Sequence, residues 1–299
     1  MQEAFKKTRF APTPSGYLHV GNILSFAITE ALARRTGAKI LLRIDDMDRE
    51  KTVSAYVQDI FDTLDFLEIG YDEGPRNLHE YETEFAQAHR DELYRKALNQ
   101  LRESGELFAC TCTRTQLRNL NPDLAYPGIC KTKNHSFDEH VSWRINTSGA
   151  EQINVNTLGR GPIVDRLPAN MQDFIVKKKD GLAAYQLTSV IDDVYFGVDL
   201  VVRGADLWTS TLAQHYLSSV LHFDSISHTT FYHHPLLFDE AGHKLSKSEG
   251  ATAVHHLRQM NKKPADIYEQ IARMLGIDAR PASWVELVGL LDFERFESR

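Results

Sequence analysis

The stretch that decides the fold is Arg9-Phe10-Ala11-Pro12-Thr13-Pro14-Ser15-Gly16-Tyr17-Leu18-His19-Val20-Gly21-Asn22. It begins as the end of a short buried strand and continues through a proline- and glycine-containing turn. From Leu18 onward, apolar residues recur at helical spacing. A strand that runs through a tight loop into a helix directs unpaired N–H groups and the positive end of the helix dipole at a bound anion. We therefore predict a phosphate site at this helix mouth, beside His19 and Gly21; the alternative is that His19 only caps the helix.

A second buried strand is predicted over residues 39–44. A strand–helix–strand unit implies a right-handed parallel crossover and the opening half of a doubly wound α/β fold, whose ligands bind at the carboxyl ends of its strands. Asp45, Asp46 and Asp48 follow this strand directly and should lie at the pocket rim. Three neighbouring carboxylates repel one another unless a cation, a donor or solvent relieves them. They either recognise a substrate ammonium group or form a helix-capping acidic turn.

Periodicity along the rest of the chain predicts further helices and strands. The helices span residues 53–69, 79–104, 206–222, 265–275 and 284–291. One more helix should start near Tyr185 and carry Asp192 and Asp193 at its far end. The strands span residues 141–145, 152–155, 173–177, 200–203 and 231–238.

A lysine-containing loop follows the last predicted strand. It reads Lys244-Leu245-Ser246-Lys247-Ser248, with Gly250 close behind. Two ammonium groups on a serine- and glycine-rich loop can clamp a polyphosphate. Taken alone, the same five residues are also typical of a solvated surface loop.

The chain has three cysteines, Cys110, Cys112 and Cys130. A C-x-C pair and a returning third thiolate suit a tetrahedral zinc ion. Tyr126 and His135 are the candidates for the fourth ligand, and chemistry alone favours the histidine, because a phenol with a pKa of about 10 must lose its proton to bind. The alternative is three reduced structural cysteines. An odd count with tight spacing argues against a secreted disulfide framework.

The composition is that of an ordinary globular protein. The 299 residues are 42% hydrophobic and 25% charged, and the net charge of −7 argues against indiscriminate nucleic-acid binding. The polar N-terminus lacks an apolar targeting segment, and no apolar run is long enough to span a bilayer. We expect a cytoplasmic monomer that does not contact a membrane.

His19-Val20-Gly21-Asn22 and Lys244-Leu245-Ser246-Lys247-Ser248 together resemble the HIGH and KMSKS signatures of the class I aminoacyl-tRNA synthetases. Asn22 stands at the last position of the first signature, as is common in the glutamyl branch. The stretches 9–16, 42–48 and 201–207 are similar to the catalytic core of glutamyl-tRNA synthetases. The resemblance covers roughly residues 8–260.

The resemblance implies an α/β fold, a Rossmann-type doubly wound parallel sheet with a zinc-containing insertion and a short C-terminal helical unit. The expected segments are the first half of the catalytic core (1–107), the zinc-binding and β-rich insertion (108–180), the second half with the lysine loop (181–255) and the helical unit (256–299). No anticodon-binding domain is expected.

The resemblance also assigns site residues. His19 and Lys247 are the expected catalytic residues. ATP binding falls to His19, Gly21, Asn22, Lys244, Ser246 and Lys247. Glutamate binding falls to Arg9, Ala11, Thr13, Asp45, Tyr185 and Arg203. Asp45 stands where most relatives have Glu and is one methylene shorter, so its contact with the substrate ammonium group should be longer or bridged by water. For zinc, the family pattern favours Cys110, Cys112, Tyr126 and Cys130, which reverses the choice of His135.

The whole chain resembles the glutamyl-queuosine tRNA(Asp) synthetases. Such enzymes activate L-glutamate with ATP and Mg²⁺ without tRNA and transfer it to queuosine in the anticodon loop of tRNA(Asp). Three alternatives stay open: a glutamyl-tRNA synthetase that charges a tRNA 3′ end with help from a partner, a non-catalytic RNA-binding paralogue, and a ligase with a non-RNA acceptor.

Overall fold

The architecture comes from a computed structural model in which residues 4–47, 52–121, 125–138, 140–150, 152–238 and 253–291 are described. The chain divides into two compact units. The first unit comprises Met1–His89, Leu200–Asp206 and Phe231–Arg299. The second comprises Arg90–Asp199 and Leu207–Thr230. The four segments expected from the sequence stay a prediction.

The first unit contains the predicted strand–helix–strand motif. Strand β1 (Lys7–Phe10) pairs in parallel with β2 (Lys39–Leu42). Helix α1 (Val20–Thr36) connects them, and it ends at Gly37, whose φ of 81° lies in the left-handed region that glycine adopts without strain. The predicted parallel crossover is confirmed.

The outer edge of β2 is covered by an extended segment. Glu73 forms a parallel bridge with Leu41, and the Leu42 N–H donates to the Glu73 carbonyl at 2.8 Å. Gly74 follows with a φ of 105°, and a Cβ at this position would lie 2.2 Å from the Leu42 carbonyl oxygen. The backbone can approach β2 this closely only because residue 74 lacks a side chain.

The first unit contains further helices and strands. They are α2 (Ser54–Phe66), α3 (Leu78–Glu80), β8 (Leu200–Gly204), β9 (Thr230–His234), α9 (Val254–Gln259), α10 (Pro264–Met274) and α11 (Trp284–Gly289). Strand β8 lies beside β1, while α10 and α11 pack against α1. Trp284 stacks on the Arg34 guanidinium at 4.5 Å, and the Tyr268 hydroxyl donates to the Leu67 carbonyl at 2.8 Å. The C-terminal helices therefore support the helix that carries His19.

The second unit is built on antiparallel strands. Strands β3 (Leu107–Cys110), β4 (Ser142–Ile145) and β7 (Ile175–Lys177) form one sheet, and β5 (Gln152–Thr157) forms a hairpin with β6 (Gly161–Arg166). Its helices are α4 (Asp91–Glu103), α5 (Arg114–Leu120), α6 (Tyr185–Phe196), α7 (Trp208–Val220) and α8 (Asp224–Ser227). The α/β class is confirmed. The expectation of one parallel sheet needs correction, because the described strands form mixed sheets.

The predicted long helix over 79–104 is wrong. The segment consists of α3, a π-turn (Tyr81–Phe85), a 3₁₀ turn (Gln87–Arg90) and α4. Ala86 breaks the helix with an extended ψ of 143°. The break is stabilised by Asp46, which accepts hydrogen bonds from the Tyr81 hydroxyl and the Gln87 backbone N–H, both at 2.8 Å. A partner distant in sequence thus overrides the local periodicity.

Most other predicted elements exist with shorter bounds. Strand β9 ends at His234 rather than residue 238, because Pro235 follows it. Helix α6 starts at Tyr185 and carries Asp192 and Asp193 near its end, as predicted. The sequence analysis missed β6 and α5. No helix in the described part of the chain is long and apolar enough to cross a membrane.

Candidate active site

His19 is the N-cap of α1. Its Nδ1 accepts a hydrogen bond from the Gly21 N–H at 3.1 Å, and the Asn22 side-chain oxygen accepts one from the His19 N–H at 3.1 Å. This reciprocal capping box satisfies two N–H groups of the first turn. Because Nδ1 acts as an acceptor, the proton of the neutral ring lies on Nε2, which is therefore a donor. The capping geometry makes His19 suited to donate to an anion.

Gly21 has a role that the sequence analysis missed. A Cβ at residue 21 would lie 2.9 Å from two ring atoms of His19, Cε1 and Nδ1. This separation is shorter than normal van der Waals contact, so any side chain would displace the ring. Gly21 is one of the expected ATP-binding residues, and its lack of a side chain also lets His19 fold back over the helix end.

Two predicted glutamate ligands, Arg9 and Arg203, lie on neighbouring strands of the first unit. Arg9 is on β1 and is 7% exposed; Arg203 is on β8 and is 5% exposed. Arg9 Nη1 donates to the Val202 carbonyl at 3.4 Å, and the Arg203 guanidinium lies 5.0 Å from the centre of the Phe231 ring. Buried guanidinium groups hold carboxylates strongly, because each offers a planar fork of donors away from water.

Asp45 is engaged by an arginine that the sequence analysis did not consider. Its oxygens accept from Arg43 Nε at 2.7 Å and from Arg43 Nη2 at 3.0 Å. Both residues lie just beyond the end of β2 at Leu42, where no strand or helix periodicity signals the pair. The Arg43 guanidinium therefore supplies hydrogen-bond donors and positive charge that offset the repulsion expected between Asp45 and the neighbouring carboxylates. Asp46 serves the helix break described above, and Asp48 lies outside the described residues.

The other residues predicted to bind the glutamate substrate are Ala11, Thr13 and Tyr185. Ala11 is half-buried and Thr13 is exposed, both in the loop that leads from β1 to α1. The next residue after Ala11, Pro12, accepts from the Asp45 N–H at 2.9 Å. Tyr185 belongs to the second unit, begins α6 and is 44% exposed.

The predicted ATP ligands Lys244, Ser246 and Lys247 lie outside the described residues, and their roles stay predictions. The described chain resumes beside the first signature. The Val254 N–H donates to the Leu18 carbonyl at 2.8 Å, and Ala253 forms an antiparallel bridge with His19. The chain that leaves the lysine loop is therefore paired with the His19 loop.

The three cysteines converge in the second unit. The sulfur atoms of Cys110, Cys112 and Cys130 lie within 4.8 Å of one another, and those of Cys112 and Cys130 are 3.6 Å apart. The Tyr126 hydroxyl lies 3.6 Å from Cys110 Sγ and accepts from the Cys130 N–H at 2.9 Å. The group of close ligand atoms among the described residues does not include His135.

This donor set fits zinc. Two thiolates bound about 2.3 Å from a tetrahedral ion lie roughly 3.8 Å apart, close to the Cys112–Cys130 separation. Burial opposes ionisation of Cys130, but hydrogen bonds from Thr111, Tyr126 and Cys112 outweigh burial and lower its pKa to about 6. Burial instead raises the pKa of Cys112 to about 12 and raises that of Tyr126. A bound cation would supply the charge that those two groups need to ionise.

Comparison with known proteins agrees with these observations. The family model for tRNA synthetases class I (E and Q), catalytic domain, matches residues 6–289. The chain is 34% identical over 275 residues to a glutamyl-Q tRNA(Asp) synthetase of Geobacter sulfurreducens, covering 90% of this chain and 83% of the relative. It is 33% identical over 306 residues to one from Symbiobacterium thermophilum, covering 96% and 92%.

A solved structure shares the fold. It is a glutamate-tRNA synthetase from Elizabethkingia anophelis, with a TM-score of 0.74 at 21% identity, covering 98% of this chain and 66% of that chain. At 21% sequence identity, the similarity shows that the two proteins share a fold and nothing more. The family model spans nearly all of the described chain, including His19 and both buried arginines, Arg9 and Arg203. The chain therefore belongs to the class I tRNA synthetases of the E and Q type and is a ligase of that class.

Proposed function

We propose that this ligase activates L-glutamate with ATP, without tRNA, and then transfers the glutamyl group from the adenylate to queuosine in the anticodon loop of tRNA(Asp), with release of AMP. The observation that carries the first half is the pair of buried arginines, Arg9 and Arg203, in the same unit as the His19 helix mouth. Two desolvated guanidinium groups suit an amino acid that has a carboxylate in its side chain as well as its α-carboxylate. The second half is supported by the relatives named glutamyl-Q tRNA(Asp) synthetase.

The activation step is an in-line displacement. An α-carboxylate oxygen of glutamate forms a bond to the α-phosphorus of ATP, and the bond from that phosphorus to the leaving pyrophosphate breaks. Such a step needs positioning and neutralisation of charge rather than a covalent nucleophile. His19 donates from Nε2 to a phosphate oxygen at the end of α1. Lys247, with Lys244 assisting, neutralises the departing pyrophosphate.

The remaining assignments belong to the same proposal. Gly21, Asn22 and Ser246 complete the ATP site, while Ala11, Thr13, Asp45 and Tyr185 contribute to glutamate binding. Because Arg43 already donates to both oxygens of Asp45, the substrate ammonium group competes with an intramolecular ion pair. Mg²⁺, when bound with ATP, would offset the negative charge of the triphosphate.

Zinc has a structural place in this proposal. Cys110, Cys112 and Cys130 would hold it, and the Tyr126 hydroxyl is placed to complete the set. The cation would join β3 to the loop that carries Tyr126 and Cys130, with no part in the chemistry.

The position of the glutamyl group on the RNA tests the second half. Radiolabelled glutamate is incubated with the protein, ATP and tRNA(Asp), and the RNA is cut into anticodon and 3′ fragments. Label on the anticodon fragment, absent when the matched tRNA(Asp) lacks queuosine, is the expected result. Label on the 3′ fragment in both RNAs would instead identify a glutamyl-tRNA synthetase that charges the terminal ribose.

A further inference from the structure

Asp59 is a buried carboxylate in the first unit that belongs to neither signature. It lies in the middle of α2, with 2% of its side chain exposed. The residues around it, Val57, Ile60 and Phe61, form the apolar face of that helix. A carboxylate on such a face is stable only if its partners replace water as hydrogen-bond donors.

The partners of Asp59 come from two different parts of the sequence. Oδ2 accepts from the backbone N–H of Leu18, the residue before His19, at 3.3 Å. Oδ1 accepts from Arg258 Nη2 on α9 and lies 3.5 Å from His255 Nδ1 on the same helix. One carboxylate therefore holds the His19 loop on one side and α9 on the other.

Contacts between the loop and α9 reinforce this link. The Tyr17 ring stacks on the His255 ring with centres 4.1 Å apart and planes inclined by 9°. Tyr17 also packs edge-on against Tyr56 of α2, at 4.9 Å. Together with the Val254–Leu18 backbone hydrogen bond, these contacts tie the segment Tyr17–His19 to both α2 and α9.

We propose that Asp59 is a positioning residue for adenylate formation, which fixes the His19 loop to α9. It acts through Leu18, Arg258 and His255, without touching the substrate. This inference rests on the proposed glutamate activation for its kinetic readout. A catalytic donor displaced by about 1 Å loses much of its effect, so loss of the contacts that Asp59 makes between the His19 loop and α9 should lower kcat.

The test uses the full chain with Asp59→Asn. The asparagine has nearly the same shape, but one oxygen becomes an NH₂ donor, so either Leu18 N–H or Arg258 loses its acceptor. In glutamate-dependent ATP–pyrophosphate exchange we expect kcat to fall by about 10- to 100-fold. The KM for ATP should rise, and the KM for glutamate should stay within about twofold, because Arg9 and Arg203 are on other elements.

Asp62→Asn is the matched control. Asp62 lies on the same helix and faces the same Arg258, but its side chain is 45% exposed and its oxygen is 3.7 Å from Nη1. Its polar contacts are with Gln58 Nε2 on α2, at 2.8 Å, and with Arg258 on α9, and exposed pairs at the distance of the latter contribute little. We expect its kcat and both KM values to stay within about twofold of the native protein.

Hydrogen exchange provides a readout that does not need the substrate. In Asp59→Asn, the amides of residues 17–22 and of Val254 should exchange faster than in the native protein, whereas those of β4 should not change. If the native protein shows no glutamate-dependent ATP–pyrophosphate exchange, the proposed function fails. Amide hydrogen exchange then decides by itself whether Asp59 fixes the His19 loop to α9.

Three results would overturn the proposal. One is a folded Asp59→Asn protein with native kcat and native protection of residues 17–22. Another is equal loss of function in the Asp62→Asn control. The last is a loss of activity that follows only the unfolded fraction in thermal melts, with both KM values unchanged.

Discussion

At the scale of single residues, the helix cap and the proposed phosphate contact use different atoms of His19. Nδ1 accepts from Gly21, which leaves the ring proton on Nε2. From the sequence alone, capping and phosphate binding are alternatives. The geometry makes them compatible, because the cap sets both the orientation and the tautomer of the ring.

Gly21→Ala tests this dependence. The new Cβ would meet the His19 ring at 2.9 Å, so the ring must move while the helix gains a residue of higher helix propensity. We expect a nearly unchanged melting temperature, because the disturbed His19 cap offsets the gain in helix propensity, and a kcat for ATP–pyrophosphate exchange lower by about tenfold or more. Gly149→Ala is the control, since a Cβ there meets nothing within 4 Å. Native turnover in Gly21→Ala would contradict the assigned role of the ring orientation.

Arg203→Lys tests the glutamate site. Lysine keeps the charge but loses the planar fork, so a bidentate contact with a carboxylate is reduced to a point contact. We expect the KM for glutamate to rise by about 10- to 100-fold, as for the loss of one charged hydrogen bond, with the KM for ATP nearly unchanged. Arg95→Lys, at a side chain that is 76% exposed, provides the comparison. Equal KM values for glutamate in both variants would remove Arg203 from the site.

At the scale of elements, the edge of β2 depends on the conformation of Gly74. Its φ of 105° and the 2.2 Å approach to the Leu42 carbonyl are both incompatible with a side chain. Gly74→Ala should lower the free energy of unfolding by about 2–4 kcal/mol, measured by urea denaturation. Gly70→Ala should change it little, because its Cβ would lie 3.8 Å from the nearest atom, Glu30 Oε1. Equal stability of the two variants would show that the segment at residue 74 can withdraw from β2 without cost.

The cysteine cluster is the other element whose stability can be tested. Cys112→Ser should reduce bound zinc from about one ion per chain and lower the melting temperature in the same samples. If the ion contributes even about 2 kcal/mol, the shift is roughly 4–8 °C for a unit of this size. A metal-free native protein with an unchanged melting temperature would end the zinc assignment.

A matched pair of variants identifies the fourth zinc ligand. Tyr126→Phe should lower zinc affinity, because the phenol oxygen lies beside Cys110. His135→Ala should leave zinc affinity unchanged, because His135 is not part of the close group of ligand atoms. If His135→Ala instead lowers zinc affinity and Tyr126→Phe does not, His135 is the fourth zinc ligand.

At the scale of the whole molecule, the sequence predicted the elements whose signal is local. The crossover from β1 through α1 to β2, the start of α6 and the convergence of three cysteines all follow from spacing or turn residues. Local signals failed where a distant partner decides the structure. The break before α4 depends on hydrogen bonds to Asp46, and the Asp45 carboxylate is held in an ion pair by Arg43. Hydrophobic periodicity indicates neither contact.

The same limit applies to the candidate site. Arg9 and His19 could be identified because they belong to a recognisable stretch, and Arg203 because it ends an apolar strand. Asp59 carries only a weak signal, a lone acidic residue on the apolar face of α2. Its partners are brought together by folding, so the link between the His19 loop and α9 is visible only in three dimensions.

ATP–pyrophosphate exchange with each amino acid, with and without total tRNA, tests the tRNA-independent activation of glutamate most directly. We predict exchange with L-glutamate alone and without any RNA. Exchange that requires tRNA would contradict tRNA-independent activation and favour an ordinary glutamyl-tRNA synthetase. No exchange with any amino acid would contradict the proposed activity altogether.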